Sequence, residues 1–183
     1  MNFLNYRKKD TTAANKLTGA LFIIYLGALF WIIVLKLNIS FAYNGKAGNV
    51  NLIPFHEPVL LNGKVGYGEM ILNVLIFIPL GLYAGILFKK LSTGKKILSF
   101  FTVSLLCEVL QFALKIGAFD ITDLITNTFG GIIGWVLFKA TEKGFKNTAK
   151  AQKFINIIAT LGTVLLLSLL LYLKINKRPV FRR

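Results

Sequence analysis

The sequence has few of the residues on which soluble enzymes commonly rely. It contains one cysteine, Cys107, one histidine, His56, and seven acidic residues among 183. A single cysteine excludes an internal disulfide and a zinc site of the Cys-x-x-Cys type. Because His56 and Cys107 are far apart in sequence, they give weak support to a catalytic thiol pair. We interpret His56 as a loop residue at a membrane interface, and the sequence predicts neither a cofactor nor a metal site.

Long apolar runs dominate the chain instead. Hydrophobic residues make up 55% of it and charged residues 16%, and its mean hydropathy is +0.66. Crossing the hydrocarbon core of a bilayer takes roughly 17 to 25 apolar residues in a helix. The sequence therefore predicts an all-α, multi-pass transmembrane helix bundle forming one domain over residues 1–183, with its core at 51–138. The predicted spans, about five in number, are Leu17–Leu37, Met70–Phe88, Ile97–Leu114, Ile121–Phe138 and Phe154–Leu173.

The first apolar run has the flanks of a secretory signal. Basic residues precede it, and Ser40-Phe41-Ala42 imitates a cleavage site. The run is longer than the apolar region of a signal peptide, which spans about 7 to 15 residues. We therefore interpret Leu17–Leu37 as an uncleaved anchor.

The net charge of +15 comes mainly from residues at the ends of the predicted spans. Contact with anionic lipid headgroups is the simpler explanation of this charge, and no nucleic-acid partner is predicted. With a cytoplasmic N-terminus, the inner segments hold thirteen Lys or Arg residues and the outer segments four, when the five after the last span are set aside. This asymmetry favours that orientation. Two interpretations of the basic tail stay open: it is tolerated outside, or one weak segment does not cross.

Polar residues in the three central spans fall near one face of the bilayer. The second and fourth spans run inward and the third runs outward, so Asn73, Glu108 and Asn127 lie within about 9 Å of the same ends. Ser104, Glu108 and Gln111 follow helical spacing on one side of the third span. Because polar groups in hydrocarbon are costly unless paired, these sides are expected to face one another. The predicted functional cluster is Glu69, Asn73, Glu108, Gln111, Asp120, Asp123 and Asn127.

Some of these residues also have a structural explanation. Asp120 is placed to cap the fourth helix, and Asp123 lies in its first turn, where the helix dipole favours a carboxylate. Glu108 is interior to its helix and no cap needs it. It is therefore protonated, paired with Lys115 or with a lysine of another helix, or exposed to water.

Glycine and proline predict how the second and fourth spans pack. Gly81 and Gly85, and likewise Gly130 and Gly134, form G-x-x-x-G pairs. Such pairs allow helix backbones to approach closely. Pro79 removes a backbone hydrogen bond within the second span and predicts a kink there.

Four sequence blocks together resemble the VanZ-like family of bacterial membrane proteins. They are NLIPF at 51–55, N-x-x-x-F-x-P-x-G at 73–81, E-x-x-Q at 108–111 and FDITDLITNTFGGIIG at 119–134. The resemblance implies a helical, multi-pass protein of the bacterial cytoplasmic membrane. It also implies a link to resistance against the glycopeptide teicoplanin, with which the family's named member is associated.

Three functions are compatible with these observations. The first is a non-enzymatic envelope protein that uses an outer-leaflet polar pocket to bind a cell-wall precursor or lipid component, which alters glycopeptide susceptibility. The second is a membrane enzyme acting on a lipid-linked or phosphorylated substrate, with Glu108, Asp120 and Asp123 as bases or oxygen ligands. The third is a small transporter. We favour the first without excluding catalysis. The bilayer is the expected partner, and the oligomeric state stays open.

Overall fold

The computed structural model describes residues 3–34, 49–55, 59–61 and 64–175. The predictions made for His56, for Ser40-Phe41-Ala42 and for the basic tail after residue 175 lie outside these residues. The described chain is built from long helices joined by short connections. They are α1 (Phe3–Leu29), α2 (Gly68–Leu87), α3 (Thr93–Ala113), α4 (Ile121–Phe145) and α5 (Thr148–Ile175), and a π-helical turn, Phe30–Val34, continues α1.

The prediction of an all-α, multi-pass bundle is confirmed. Over the described residues, α2, α3 and α4 are each long and apolar enough to cross a membrane. The apolar part of α1, Lys16–Ile32, is shorter. Each predicted span overlaps one helix over the described residues, but α1 begins fourteen residues before the first span, and α4 and α5 also extend beyond the predicted boundaries.

Short strands gather at one end of the bundle. β1 (Val50–Asn51) pairs in parallel with β4 (Phe119–Asp120), and β4 leads directly into α4. A hairpin of β2 (Val59–Leu61) and β3 (Lys64–Gly66) precedes α2. We call this end, with the start of α2 and the α3–α4 connection, the strand end. The opposite end, with the α2–α3 and α4–α5 connections and their lysines, is the lysine end.

The chain turns sharply between α3 and α4. Lys115 follows α3 with a positive φ of 54°. The N–H of Ile116 donates to the carbonyl of Gln111 at 3.1 Å, which is the pattern that closes a helix C-terminus. Asp120 then caps α4, since its Oδ1 accepts the N–H of Thr122 at 2.7 Å. The capping role predicted for Asp120 is confirmed.

Helices α2 and α4 touch through their backbones. A Cβ atom added at Gly134 would lie 1.9 Å from the carbonyl oxygen of Ile78, and one at Gly130 would lie 2.2 Å from that of Val74. At Gly81 the same atom would lie 2.0 Å from a backbone oxygen of α4. All three distances are shorter than the 3.0 Å that real Cβ atoms keep. The predicted close approach is therefore confirmed, and we call this contact the α2–α4 seam.

Helix α1 packs against α2 and α5, and α5 also packs against α4. Near Pro79, the hydroxyl of Tyr25 in α1 donates to the carbonyl of Ile76 in α2 at 3.0 Å. This contact provides a donor next to the turn where proline removes a backbone N–H. The kink predicted at Pro79 stays a prediction.

A buried polar contact joins α1 to α5. The Oγ1 of Thr18 accepts the side-chain amide of Gln152 at 2.8 Å and that of Asn156 at 2.9 Å. All three side chains are buried. We call Thr18, Gln152 and Asn156 the α1–α5 clasp.

Candidate functional site

Buried polar side chains occupy the space between α3 and α4 near the strand end. Glu108 is 1% exposed, Gln111 is 2% exposed and Asn127 is fully buried. Ser104 is buried as well, so the polar side of α3 that the spacing predicts does face the bundle interior. These buried polar groups form one cluster between the two helices.

Glu108 connects the interior of α3 to the start of α4. Its Oε2 accepts the backbone N–H of Asp120 at 3.1 Å. With 1% of its surface exposed, Glu108 is not open to water, which excludes one of the three states considered for it. An acceptor bonded to a backbone N–H at a helix start is also favoured by the helix dipole.

Asp120 has a second contact besides its cap. Its Oδ2 accepts the side-chain amide of Asn51 at 3.1 Å. Two further bonds anchor the same stretch of chain, one from the Phe119 N–H to the Asn49 carbonyl at 2.9 Å and one from the Phe55 N–H to the Thr122 Oγ1 at 3.1 Å. Residues 49–55 therefore lie across the start of α4, and we call them the 49–55 segment.

Asn73 and Asp123 join α2 to α4. The side-chain amide of Asn73 donates to the Oδ1 of Asp123 at 2.7 Å. A hydrogen bond to a carboxylate at this length is a strong one. Glu69 lies one turn earlier, in the first turn of α2, where the helix dipole favours a negative charge.

Asn127 lies deepest among the cluster residues of α4. Its Nδ2 donates to the Oγ of Ser104 at 3.1 Å. Its Oδ1 is buried and meets no hydrogen-bond donor within the described part of the chain. Leaving such an acceptor unsatisfied costs about 1 to 3 kcal/mol. A water molecule or a bound donor at this oxygen would offset that cost.

The cluster is covered at the strand end. Gly117 and Ala118 are buried, and a Cβ atom at Gly117 would lie 3.0 Å from the Oε1 of Gln111. Beside them, the 49–55 segment leaves Leu52, Ile53 and Phe55 exposed. The polar groups are therefore enclosed beneath an apolar outer rim.

The residues of this cluster lie in the part of the chain that a protein-family model matches. A family model described as VanZ/LLP1 matches residues 22–142. The chain belongs to the VanZ/LLP1 family. It is 38% identical over 162 residues to Protein VanZ of Enterococcus faecium, a match that covers 87% of this chain and 96% of that relative. No solved structure matches the chain.

The VanZ/LLP1 match contains every residue of the cluster and ends before α5. It also contains Asn51 and Thr122, which sequence reasoning did not place among the site residues. Asn51 lies in the NLIPF block, which was the available signal. Its partner depends on how the 49–55 segment folds over α4, and residue spacing carries no information about that.

The functional groups of the cluster are carboxylates, carboxamides and a hydroxyl. Within residues 3–34, 49–55, 59–61 and 64–175, no three His, Cys, Asp or Glu side chains are placed to hold a metal ion together. Lys115, the nearest cation in sequence, is exposed at the end of α3. What the VanZ/LLP1 cluster offers a ligand is carboxylate and carboxamide hydrogen bonding in an apolar setting.

Proposed function

We propose that this VanZ/LLP1 protein modulates the bacterial cell envelope and lowers susceptibility to glycopeptide antibiotics such as teicoplanin. It would do so by binding a polar group of a cell-wall precursor or lipid component at the outer leaflet. The observation that carries this proposal is the burial of Glu108, Gln111 and Asn127 at one end of the bundle. Apolar side chains would pack these helices without the desolvation cost of buried polar groups. A binding role explains why polar ones are present.

The position of the cluster supports an outer-leaflet ligand. The lysine asymmetry of the sequence favours a cytoplasmic N-terminus, and in that orientation the strand end faces outward. The bacterial cytoplasmic membrane is the corresponding location. The 49–55 segment is bonded to α4 through Asn51 and Phe55. Displacing these two contacts would expose the start of α4, where the Asp120 N–H is bonded to Glu108.

The chemistry of the cluster supports a ligand that donates hydrogen bonds. Glu108 has a carboxyl group and Asn127 has a buried Oδ1 that lacks a donor among the described residues. Hydroxyl or amide groups of a saccharide or peptide would satisfy such acceptors. A donor group of the ligand would contribute most to the binding free energy at an acceptor that is otherwise buried without a partner.

The test compares teicoplanin susceptibility of a bacterial host that produces the wild-type protein or a variant at equal membrane levels. Glu108→Gln keeps an oxygen acceptor for the Asp120 N–H and removes the carboxylate. Glu142→Gln is the matched control, because Glu142 lies on α4 near the lysine end, bonded to Lys139 and Thr148. We expect Glu108→Gln to abolish the protection and Glu142→Gln to retain it.

Two results would overturn the proposal. The first is a wild-type protein that gives no more protection than an empty vector. The second is full protection by both Glu108→Gln and Asn127→Ala at wild-type membrane levels. The second result would leave the antibiotic link intact and remove the cluster as its cause.

A further inference from the structure

A large apolar groove is lined by residues of α1 with its π-helical turn, α2, α4 and α5. Its volume is about 820 Å³. Pockets that enclose small ligands measure roughly 300 to 1,000 Å³. The walls include Ile24, Trp31, Pro79, Tyr83, Ile158 and Gly162. None of these residues belongs to the cluster described above, so the groove is a separate candidate site.

The groove is long, and two glycines in its walls make it wider. On α5 its wall runs from Phe154 to Thr163, which is about 14 Å along a helix axis. Gly27 and Gly162 also line it, and a Cβ atom at either position would meet nothing within 4 Å. Because these walls belong to apolar helices of a membrane protein, hydrocarbon chains rather than water are the natural filling.

Lysines lie beside the lysine end of this groove. Lys150 precedes the wall residue Phe154 by four positions, so both lie on one side of α5. Lys16 precedes the wall residue Ile24 by eight positions on α1, which places it about a quarter turn around the helix from Ile24. Both lysines are exposed.

The α1–α5 clasp fixes the relative depth of these charges. It bonds Thr18 to Gln152 and Asn156, so Lys16 and Lys150 each lie two residues before a clasp residue. Two residues correspond to about 3 Å along a helix, so these two lysines lie at similar depth. A concentrated positive charge at one end of an apolar groove is complementary to an anionic headgroup attached to a hydrocarbon chain.

We propose that this groove binds an anionic phospholipid of the bilayer. One acyl chain occupies the groove, and the phosphate headgroup contacts Lys16 and Lys150. The long lysine side chains extend along the apolar surface and reach the headgroup level with their ammonium groups. Glu142 is a nearby acidic side chain on α4, and it is already bonded to Lys139 and Thr148. The proposal does not depend on the proposed function, because it uses other residues at the other end of the bundle.

The experiment measures which lipid the full-length protein retains. Protein purified in mild detergent is incorporated into vesicles of equal parts phosphatidylglycerol and phosphatidylethanolamine with identical acyl chains. It is then extracted gently, and the bound lipid is identified by native mass spectrometry. We expect phosphatidylglycerol to be retained in preference to phosphatidylethanolamine by about tenfold, because each lysine near an anionic group strengthens binding several-fold.

Two pairs of variants locate the lipid. Gly162→Phe fills the groove, and Leu161→Phe is its control, because Leu161 is 65% exposed and is not part of the groove wall. The double variant Lys16→Gln/Lys150→Gln removes the headgroup contacts and leaves the apolar walls intact. Its control, Lys90→Gln/Lys95→Gln, removes one lysine of the α2–α3 connection and one in the first turn of α3. We expect only Gly162→Phe to lose bound lipid and only Lys16→Gln/Lys150→Gln to lose the preference for phosphatidylglycerol.

Each contrary result overturns a defined part of the proposal. Equal retention by Gly162→Phe and Leu161→Phe would show that the lipid is not in the groove. Equal effects of the two double lysine variants would show that general surface charge, and not a headgroup site, causes the preference. Equal retention of the two phospholipids by the wild type would refute the anionic assignment. A lipid-free dimer that Gly162→Phe dissociates would show that a second copy fills the groove.

Discussion

The α2–α4 seam gives the sharpest prediction about stability, through Gly134→Ala. The added methyl group would lie 1.9 Å from the carbonyl oxygen of Ile78, where at least 3.0 Å is needed, so the helices must separate by about 1 Å. The obstructing atom belongs to the backbone and cannot rotate away. Overpacking of this kind costs about 1 to 3 kcal/mol, and alanine returns up to about 1 kcal/mol through its higher helix propensity. Because a backbone atom obstructs the methyl group, we take the cost at its upper end, about 3 kcal/mol, so the expected net loss in the free energy of unfolding is about 2 kcal/mol.

The measurement is unfolding by sodium dodecyl sulfate in mixed micelles, followed by circular dichroism. Gly162→Ala is the matched control, because a methyl group there meets nothing within 4 Å. That variant is expected to be unchanged or up to about 1 kcal/mol more stable than the wild type. If Gly134→Ala unfolds at the same detergent fraction as Gly162→Ala, the backbone contact at the seam is refuted.

Three further predictions use the same unfolding assay. Asp120→Ala is expected to lower the free energy of unfolding by about 1 kcal/mol or more, because it removes the cap of α4 and the acceptor for Asn51. Asp120→Asn is expected to keep most of that stability. Equal stability of the two variants would contradict the capping role. A double-mutant cycle of Asn73→Leu and Asp123→Leu is expected to give a coupling energy of about 1 kcal/mol, and additive effects would contradict their hydrogen bond. Thr18→Val is expected to cost roughly 0.6 to 1.7 kcal/mol through the α1–α5 clasp. Its control is Thr102→Val, whose hydroxyl bonds only its own helix at Leu98, and a similar effect of both would remove the clasp as the cause.

The helices were predictable from the sequence because the apolar runs are long. The spans from Met70 to Phe88 and from Ile97 to Leu114 lie within two residues of the ends of α2 and within about four of those of α3. The fourth span was predicted to end at Phe138, but α4 continues to Phe145. Apolarity indicates where a helix meets hydrocarbon, whereas backbone hydrogen bonding continues into the polar region beyond it. Boundaries outside the apolar run were therefore not readable from hydropathy.

The candidate site was predictable as a set of residues and not as a set of contacts. Helical spacing places Glu108 and Gln111 on one side of α3, and both are buried. Their partners depend on how far one helix is shifted along another, which spacing leaves undetermined. The bond between Glu108 and the Asp120 N–H follows from the turn at Lys115, and that turn rests on a positive φ in a residue other than glycine.

The α1–α5 clasp shows the same limit in a clearer form. Gln152 and Asn156 are four residues apart on α5, a spacing that places both on one side of the helix. Thr18 lies more than 130 positions earlier, and a single threonine at the start of an apolar run carries no distinguishing signal. Only the packing of α1 against α5 brings the three together. Long-range polar pairs of this kind require tertiary structure.

The two proposals use different residues and can therefore be tested separately. The polar cluster lies wholly within residues 22–142, which the VanZ/LLP1 family model matches, so its interpretation draws on family membership as well as on geometry. The groove takes part of its wall from α5, and one of its two lysines, Lys150, lies beyond residue 142. The rest of its wall, on α1, α2 and α4, lies within the matched region. Helices α2 and α4 contribute to both sites, but no residue belongs to both. A variant that loses lipid binding and keeps antibiotic protection would therefore show that the two sites act independently.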